Sequence, residues 1–408
     1  MTRTKRHPRF ASPIRGFGAD RALALLGAIF AAIIAMPPAA AQTYTVLYSF
    51  TGEADGGQPG SGVIQDPAGN LYGTTFTGGG ICTTHAYSCG AVFKLSETGK
   101  ETVLHGFTGG ADGRGPIAGL IGDKAGNLYG TNQAVVFEVS KNSTFTVLAG
   151  LPGWGIGGVI RDAAGNFYGT TFNGGASGYG TVFELDAAGT LNVLYSFTGG
   201  SDGGNPYAGL IRDAAGNLYG TAEFGGAPTA DQPNGNGVVF ELDATGKETV
   251  LHTFCSRPSC ADGALPLAGV TRDSAGNLYG TTSAGGIGEV YGAGVVFKLS
   301  KKGKFNVLHS FTGGADGAGP SATGVLLRDS AGNLYGTTNA GGGSSSGVVF
   351  KLDTDGAETV LYNFCSQPSC ADGASPYAGV IEDAAGNLYG TAELGGAWGS
   401  GVVFKLTP

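Results

Sequence analysis

The sequence predicts an all-β protein, a seven-bladed β-propeller with four-stranded blades. Three observations carry that reading. A phrase of the type DAAGNLYGT recurs seven times, starting at Asp66, Asp123, Asp162, Asp213, Asp273, Asp329 and Asp383. Each copy lies among short runs rich in Val, Ile, Phe, Tyr and Thr, bounded by Gly, Asp or Asn, which is the signature of strands. The repeats are also cut unevenly at the two ends. The region after residue 41 starts on the fourth run of a repeat, TVLYSF (Thr45–Phe50), and the last repeat stops after its third, VVFKL (Val402–Leu406).

Each element follows from local chemistry. A motif used for chemistry is needed once, whereas a motif used for architecture is needed once per structural unit. Strand a is the GVIRD-like run before the phrase, as at Gly209–Asp213. The phrase itself makes the a–b hairpin. Its Gly takes the left-handed conformation, and its Asp bonds the turn backbone. Strand c is VVFKL-like, as at Val238–Leu242, and strand d is TVLHSF-like, as at Thr249–Phe254. Links such as LDATGKE (Leu242–Glu248) turn c into d. The 367 residues after Ala41 divide into seven units of about 52, a length that fits a blade and exceeds a β-helix coil. No stretch of this region shows a helical period. The N-terminal d strand completes the last blade and closes the ring.

The tandem D-x-A-G-N-L-Y-G-T, followed by GG, a variable loop and G-V-V-F-K-L, resembles the GloVer (Gloeo/Verruco) tandem-repeat family of exported bacterial proteins. The resemblance covers essentially all of residues 42–408. It implies export and a repeat architecture, and no defined activity. Members often carry a C-terminal surface anchor, for which this sequence shows no counterpart.

Export is also legible at the N-terminus. Six basic residues (Arg3, Lys5, Arg6, Arg9, Arg15 and Arg21) precede the apolar run Ala22–Met36, and Ala39 and Ala41 are spaced for cleavage. Residues 1–41 are therefore expected to be a signal peptide, with residues 42–408 a single domain that is secreted or periplasmic. Removing these six of 23 basic residues and one of 31 acidic residues leaves 17 and 30, a net charge of −13. That balance excludes nucleic acid as a partner and argues against membrane binding after cleavage. Six cysteines form three local pairs, expected as disulfides Cys82–Cys89, Cys255–Cys260 and Cys365–Cys370.

Function is expected where repeats differ. The a–b and c–d turns are short and uniform. The b–c and d–a loops are long and variable, emerge on one face, and carry all six cysteines. The same loops hold Tyr87, Trp154, Phe172, Tyr179, Tyr207, Phe224, Tyr291, Tyr377 and Trp398, suited to stacking on sugars or capturing a peptide. Short loops around Gly130–Phe137 and Leu151–Gly158 are expected to leave a notch beside Trp154. Trp154, Tyr207, Tyr377 and Trp398 are the candidate ligand contacts. The leading expectation is a monomeric, non-enzymatic protein that binds a glycan or an extracellular protein. The alternatives are a hydrolase or lyase acting on a lactone or polysaccharide at the channel mouth, and a structural spacer. For the hydrolase, Glu223 and Glu393 replace neutral residues at the top of strand b, but in repeats expected to lie far across the ring. Asp55, Asp112, Asp202, Asp262, Asp316 and Asp372 read as turn caps rather than calcium ligands. His105, His252 and His309 occupy outer strands of different blades, and His85 stands alone, so no metal, cofactor or catalytic triad is expected.

Overall fold

A computed structural model describes residues 42–80, 82, 89–229, 232–287, 292–321 and 323–407. The expected signal peptide lies outside the described residues. Seven antiparallel sheets follow one another along the chain. Blade 1 comprises Ile64–Gln65 (a), Leu71–Thr75 (b), Ala91–Leu95 (c) and Glu101–Gly106 (d). Blade 7 comprises Ile381–Glu382, Leu388–Ala392 and Val402–Thr407, and its fourth strand is the N-terminal Thr43–Ser49. Blade 6 adds a short strand, Ala318–Pro320, beside its b strand Leu334–Ala340. Helix among the described residues is confined to two single turns, Pro258–Cys260 and Pro368–Cys370.

The N-terminal strand is a d strand in register as well as in position. In blade 1 the c–d ladder slips by one residue between Val92 and Phe93. In blade 7 it slips at the same place, between Val46 and Tyr48 of the N-terminal strand. Phe50 then donates its backbone N–H to Gly401, as Phe107 does to Gly90 and Phe197 to Gly180.

The structure accounts for nearly every residue of the repeated phrase. In DAAGNLYGT at Asp213–Thr221, one Asp213 oxygen accepts the backbone N–H groups of Ala215 and Asn217. The other accepts the Asn217 amide and the Tyr219 hydroxyl. Burial opposes charge on Asp213, but these hydrogen bonds outweigh it and hold its carboxyl below the usual range. Gly216 has φ +94°, the left-handed turn position. The Asn217 side-chain oxygen accepts the N–H of Ala244, tying the a–b turn to the c–d turn on the lower face. Leu218 is core. Gly220 makes room for the next strand, since a Cβ there would lie 2.7 Å from the Phe240 ring. Thr221 reaches the neighbouring blade, donating to the Ala268 carbonyl at 2.8 Å.

Among the described residues, that threonine contact recurs at six blade joints, including the closing one, where Thr391 of blade 7 bonds Ser61 before blade 1. The core lies between blades. Phe50, Val63, Phe93, Tyr389 and Val403, from blades 7 and 1, form one cluster. Strand c is buried on both faces, which is why it reads as a nearly unbroken apolar run.

Candidate functional site

The d–a and b–c loops share one face, as expected. Gly57 bridges Thr77, Gly204 bridges Phe224, Ala264 bridges Ala284 and Ala374 bridges Leu394, each a d–a residue against a b–c residue. All three disulfides form as the spacing suggested, Cys82–Cys89, Cys255–Cys260 and Cys365–Cys370. The last two close the loops that lead into strand a of blades 5 and 7.

The d–a aspartates are engaged in their own turns. Asp112 accepts both the backbone N–H and the hydroxyl of Thr108. It also lies 3.2 Å from His105 on strand d. His252 and His309 face Asp262 and Asp316 in the same way, at 3.2 and 3.5 Å. Tyr48, Tyr195 and Tyr362 bond Asp55, Asp202 and Asp372 from the equivalent place. These Tyr and His side chains therefore lock the loop to its blade. Burial holds His105 and His309 below the ordinary imidazole value.

The lower face is equally occupied. Arg161 lies over the rings of Tyr129 and Phe167 and 3.6 Å from Asp123. Arg212 lies over Tyr168, and Arg272 over Tyr219. A cleft of about 350 Å³ lies between blades 4 and 5, lined by Asp213, Tyr219, Arg272 and Lys301. A similar one of about 410 Å³ lies between blades 5 and 6. These clefts recur with the repeat, and Asp213, Tyr219 and Arg272 are engaged in turn and blade contacts.

The departure from the repeat is at the mouth of the central channel. Tyr207 and Tyr377 each stand just before strand a, the strand at one end of each sheet, in blades 4 and 7. The corresponding residues of blades 1, 2, 3 and 5 are Gly60, Ile117, Ile156 and Leu267. Although their blades are not neighbours, the two tyrosine hydroxyls act electrostatically on each other. Glu223 and Glu393 sit at the upper end of strand b in the same two blades, and both carboxylates act electrostatically on both hydroxyls. Spacing along the chain placed these glutamates far apart across the ring. Both nonetheless act electrostatically on one pair of tyrosine hydroxyls.

Burial pushes the Glu223 carboxyl up to about 7 and also raises Glu393. Burial is likewise the main reason that the Tyr207 and Tyr377 hydroxyls resist ionisation. No ion pair compensates either glutamate among the described residues. Phe172 packs edge-on to Tyr207, with ring centroids 6.1 Å apart. The mouth thus joins aromatic surface to Glu223, whose carboxyl burial pushes up to about 7, and to Glu393, which burial also raises.

The other expected contacts lie elsewhere on the top loops. Trp154 is 53 % exposed, with its backbone N–H held by Asn173, and Trp398 is 68 % exposed. Tyr179 is also exposed. Tyr87, Tyr291 and His85 lie outside the described residues. Sequence reasoning noticed Glu223 and Glu393 but not their convergence with the tyrosines. A signal was available, since both departures, Tyr before strand a and Glu after strand b, occur in repeats 4 and 7 alone.

The Gloeobacter/Verrucomicrobia repeat profile matches residues 131–325 and again 229–408. The chain belongs to this repeat family. No curated protein matches. Among solved structures, the chain is similar to a gluconolactonase from Xanthomonas campestris at 13 % identity, with TM-score 0.41, over 69 % of this chain and 82 % of the other. It is similar to a luciferin-regenerating enzyme at 13 % identity, with TM-score 0.45, over 71 % and 90 %. It is also similar to the calcium-binding protein regucalcin from Agrobacterium tumefaciens at 15 % identity, with TM-score 0.41, over 89 % and 93 %. Among the described residues, no group of three or more His, Cys, Asp or Glu is placed to hold a metal ion, and no helix is long and apolar enough to cross a membrane.

Proposed function

We propose that this repeat-family propeller is an exported, non-enzymatic binding protein that holds a glycan at the mouth of its channel. The electrostatic coupling of Glu223 and Glu393, in blades 4 and 7, to the Tyr207 and Tyr377 hydroxyls carries the reading. Tyrosine rings offer flat apolar area to the faces of a sugar, and carboxyl oxygens accept its hydroxyls. The disulfide-stapled loops hold the mouth in shape before the ligand arrives, which lowers the ordering cost of binding. Trp154 and Trp398, exposed on other loops of the same face, are further candidate contacts. Export accords with the three disulfides, which persist in oxidising compartments.

A glycan array followed by calorimetry tests this reading. Tyr207→Ala or Tyr377→Ala should cost about 2 kcal/mol or more of binding, as for an aromatic anchor, with the melting temperature nearly unchanged. Asn217→Ala on the lower face should do the reverse. Binding that survives both tyrosine changes but disappears with Trp154→Ala or Trp398→Ala would move the site to the outer loops.

A second reading, a hydrolase or lyase acting on a lactone or polysaccharide, is favoured by one observation. A carboxyl with a value of about 7, such as Glu223, is able both to give and to take a proton at neutral pH. Turnover of such substrates that Glu223→Gln abolishes would establish it, and absence of turnover in wild type would leave the binding reading.

A further inference from the structure

The lower face carries a departure of its own, in blade 5. Strand a ends on Arg161, Arg212, Arg272 and Arg328 in blades 3 to 6, and each guanidinium passes the glycine of its own a–b turn. A Cβ at Gly165, Gly216 or Gly332 would meet that arginine and, beside it, a small residue of the c–d turn, Ala187, Ala244 or Thr354. At Gly276 the second neighbour is Lys301. A Cβ there would lie 3.0 Å from Arg272 Nη2 and 3.1 Å from Lys301 Cδ, so two basic side chains flank one point. Lys302 and Lys304 follow on the same turn, and no acidic residue lies between Glu289 and Asp316. The pair lines the cleft of about 350 Å³ between blades 4 and 5, together with Asp213, Glu241, Leu278 and Leu299. Arg272 keeps 29 % of its side chain exposed and reaches Asp213 only at 3.9 Å. Asp213 is already occupied by hydrogen bonds from its own turn and strand. No ion pair engages Lys301 among the described residues. On the blade 4 side, the Glu241 carboxylate accepts the Tyr219 hydroxyl at 3.2 Å and has acceptor capacity to spare.

We propose that this cleft binds a hexuronate, with its carboxylate on Arg272 and Lys301 and its hydroxyls toward Glu241. The site lies on the face opposite the channel mouth and does not depend on it. A guanidinium matches a planar carboxylate with two parallel hydrogen bonds, and the lysine adds a second, flexible charge. Sugar hydroxyls supply donors for Glu241, and the ring covers the apolar part of the cleft at Leu278 and Leu299. A neutral sugar would leave both cations unpaired. A bare phosphate would bring its charge against Glu241 and leave the leucines uncovered. A volume of about 350 Å³ is at the small end of ligand sites, which run from about 300 to 1,000 Å³, and suits one ring rather than a long segment.

The experiment titrates galacturonic acid, trigalacturonic acid, galactotriose and inorganic phosphate into the folded protein by calorimetry. The uronates should bind at least about tenfold more tightly than neutral galactotriose, a factor that corresponds to about 1.4 kcal/mol. Either uronate supports the class: equal affinities mark a free sugar acid, and a tighter trimer marks a chain. Lys301→Ala gives blade 5 the residue that blades 3 and 4 carry, and Arg272→Gln gives it the residue of blade 1, so the repeat itself shows that both fit the fold. Each should weaken uronate binding about tenfold. Lys302→Ala removes the same charge from a side chain that does not line the cleft, and should change the affinity by no more than about twofold. Equal binding of galactotriose, tighter binding of phosphate than of the uronates, or equal losses in Lys301→Ala and Lys302→Ala overturns the inference. So does uronate binding that both cleft variants retain and Tyr207→Ala abolishes, which would place it at the channel mouth, and so does binding of no probe.

Discussion

Phe50 stands at the seam where the first and last parts of the chain meet, so its replacement tests closure of the ring. It follows the N-terminal strand, is fully buried, and packs edge-on against Phe93 of blade 1 with centroids 5.1 Å apart. It also meets Tyr48 at 5.1 Å. Phe197 is its counterpart inside the chain, fully buried and 5.1 Å from Phe240. A Phe→Ala change in such a core costs about 3–5 kcal/mol, from lost transfer energy plus the cavity left behind. Against a total stability of about 5–15 kcal/mol, that is a large fraction. Phe50→Ala and Phe197→Ala should therefore lower the urea midpoint by similar amounts, each within a single transition followed by far-UV circular dichroism and intrinsic fluorescence. Similar losses would mean that the seam is as well packed as an internal joint. A Phe50→Ala protein within about 0.5 kcal/mol of wild type, beside a strongly destabilised Phe197→Ala, would refute the closure argument, because that is the range of surface substitutions.

Stability should also respond to pH and to loss of the disulfides. Glu101, Glu248 and Glu358 open strand d of blades 1, 4 and 6. Each is pushed up to about 7, first by burial and then by the neighbouring Asp55, Asp202 or Asp316. With folded values raised above an unfolded value of about 4.3, their contribution is complete below that value and is lost as pH rises through about 7. His105 and His309 are shifted downward and oppose this trend only as pH falls below about 6.5. Relative to wild type, the triple Glu→Gln variant should thus gain in melting temperature from about pH 4.3 to about 7 and no further above it; a difference that stays constant across that window would contradict the assignment. The Cys255–Cys260 bridge joins residues only 5 apart in sequence. Replacing both cysteines by Ser should cost about 2 kcal/mol in chemical denaturation, the loop-entropy value for so short a loop. A cost near zero would show that the loop is held by its Asp262 contacts alone.

The sequence by itself determined the repeat, the four strands of each blade, the left-handed glycine of each a–b turn, the local disulfides and the placement of the N-terminal strand in the last blade. These are short-range properties. Gly216 is set by its turn, Val238–Leu242 by burial on both faces, and Cys365–Cys370 by a loop too short for much else. Tertiary structure decided the partners of the repeated residues and the composition of the channel mouth. Asn217 reads locally as a turn residue, and only the folded blade shows it holding the c–d turn. Thr221 reads as one more strand residue until its bond to Ala268 of the next blade is seen. Tyr207 and Tyr377 are legible as loop aromatics, and Glu223 and Glu393 as departures from the repeat. Their meeting depends on ring geometry, because the number and tilt of the blades fix which loops oppose one another and how far side chains reach across the axis. Spacing along the chain carries no such distance, so the electrostatic reach of both carboxylates to one pair of hydroxyls emerges only once the ring has closed.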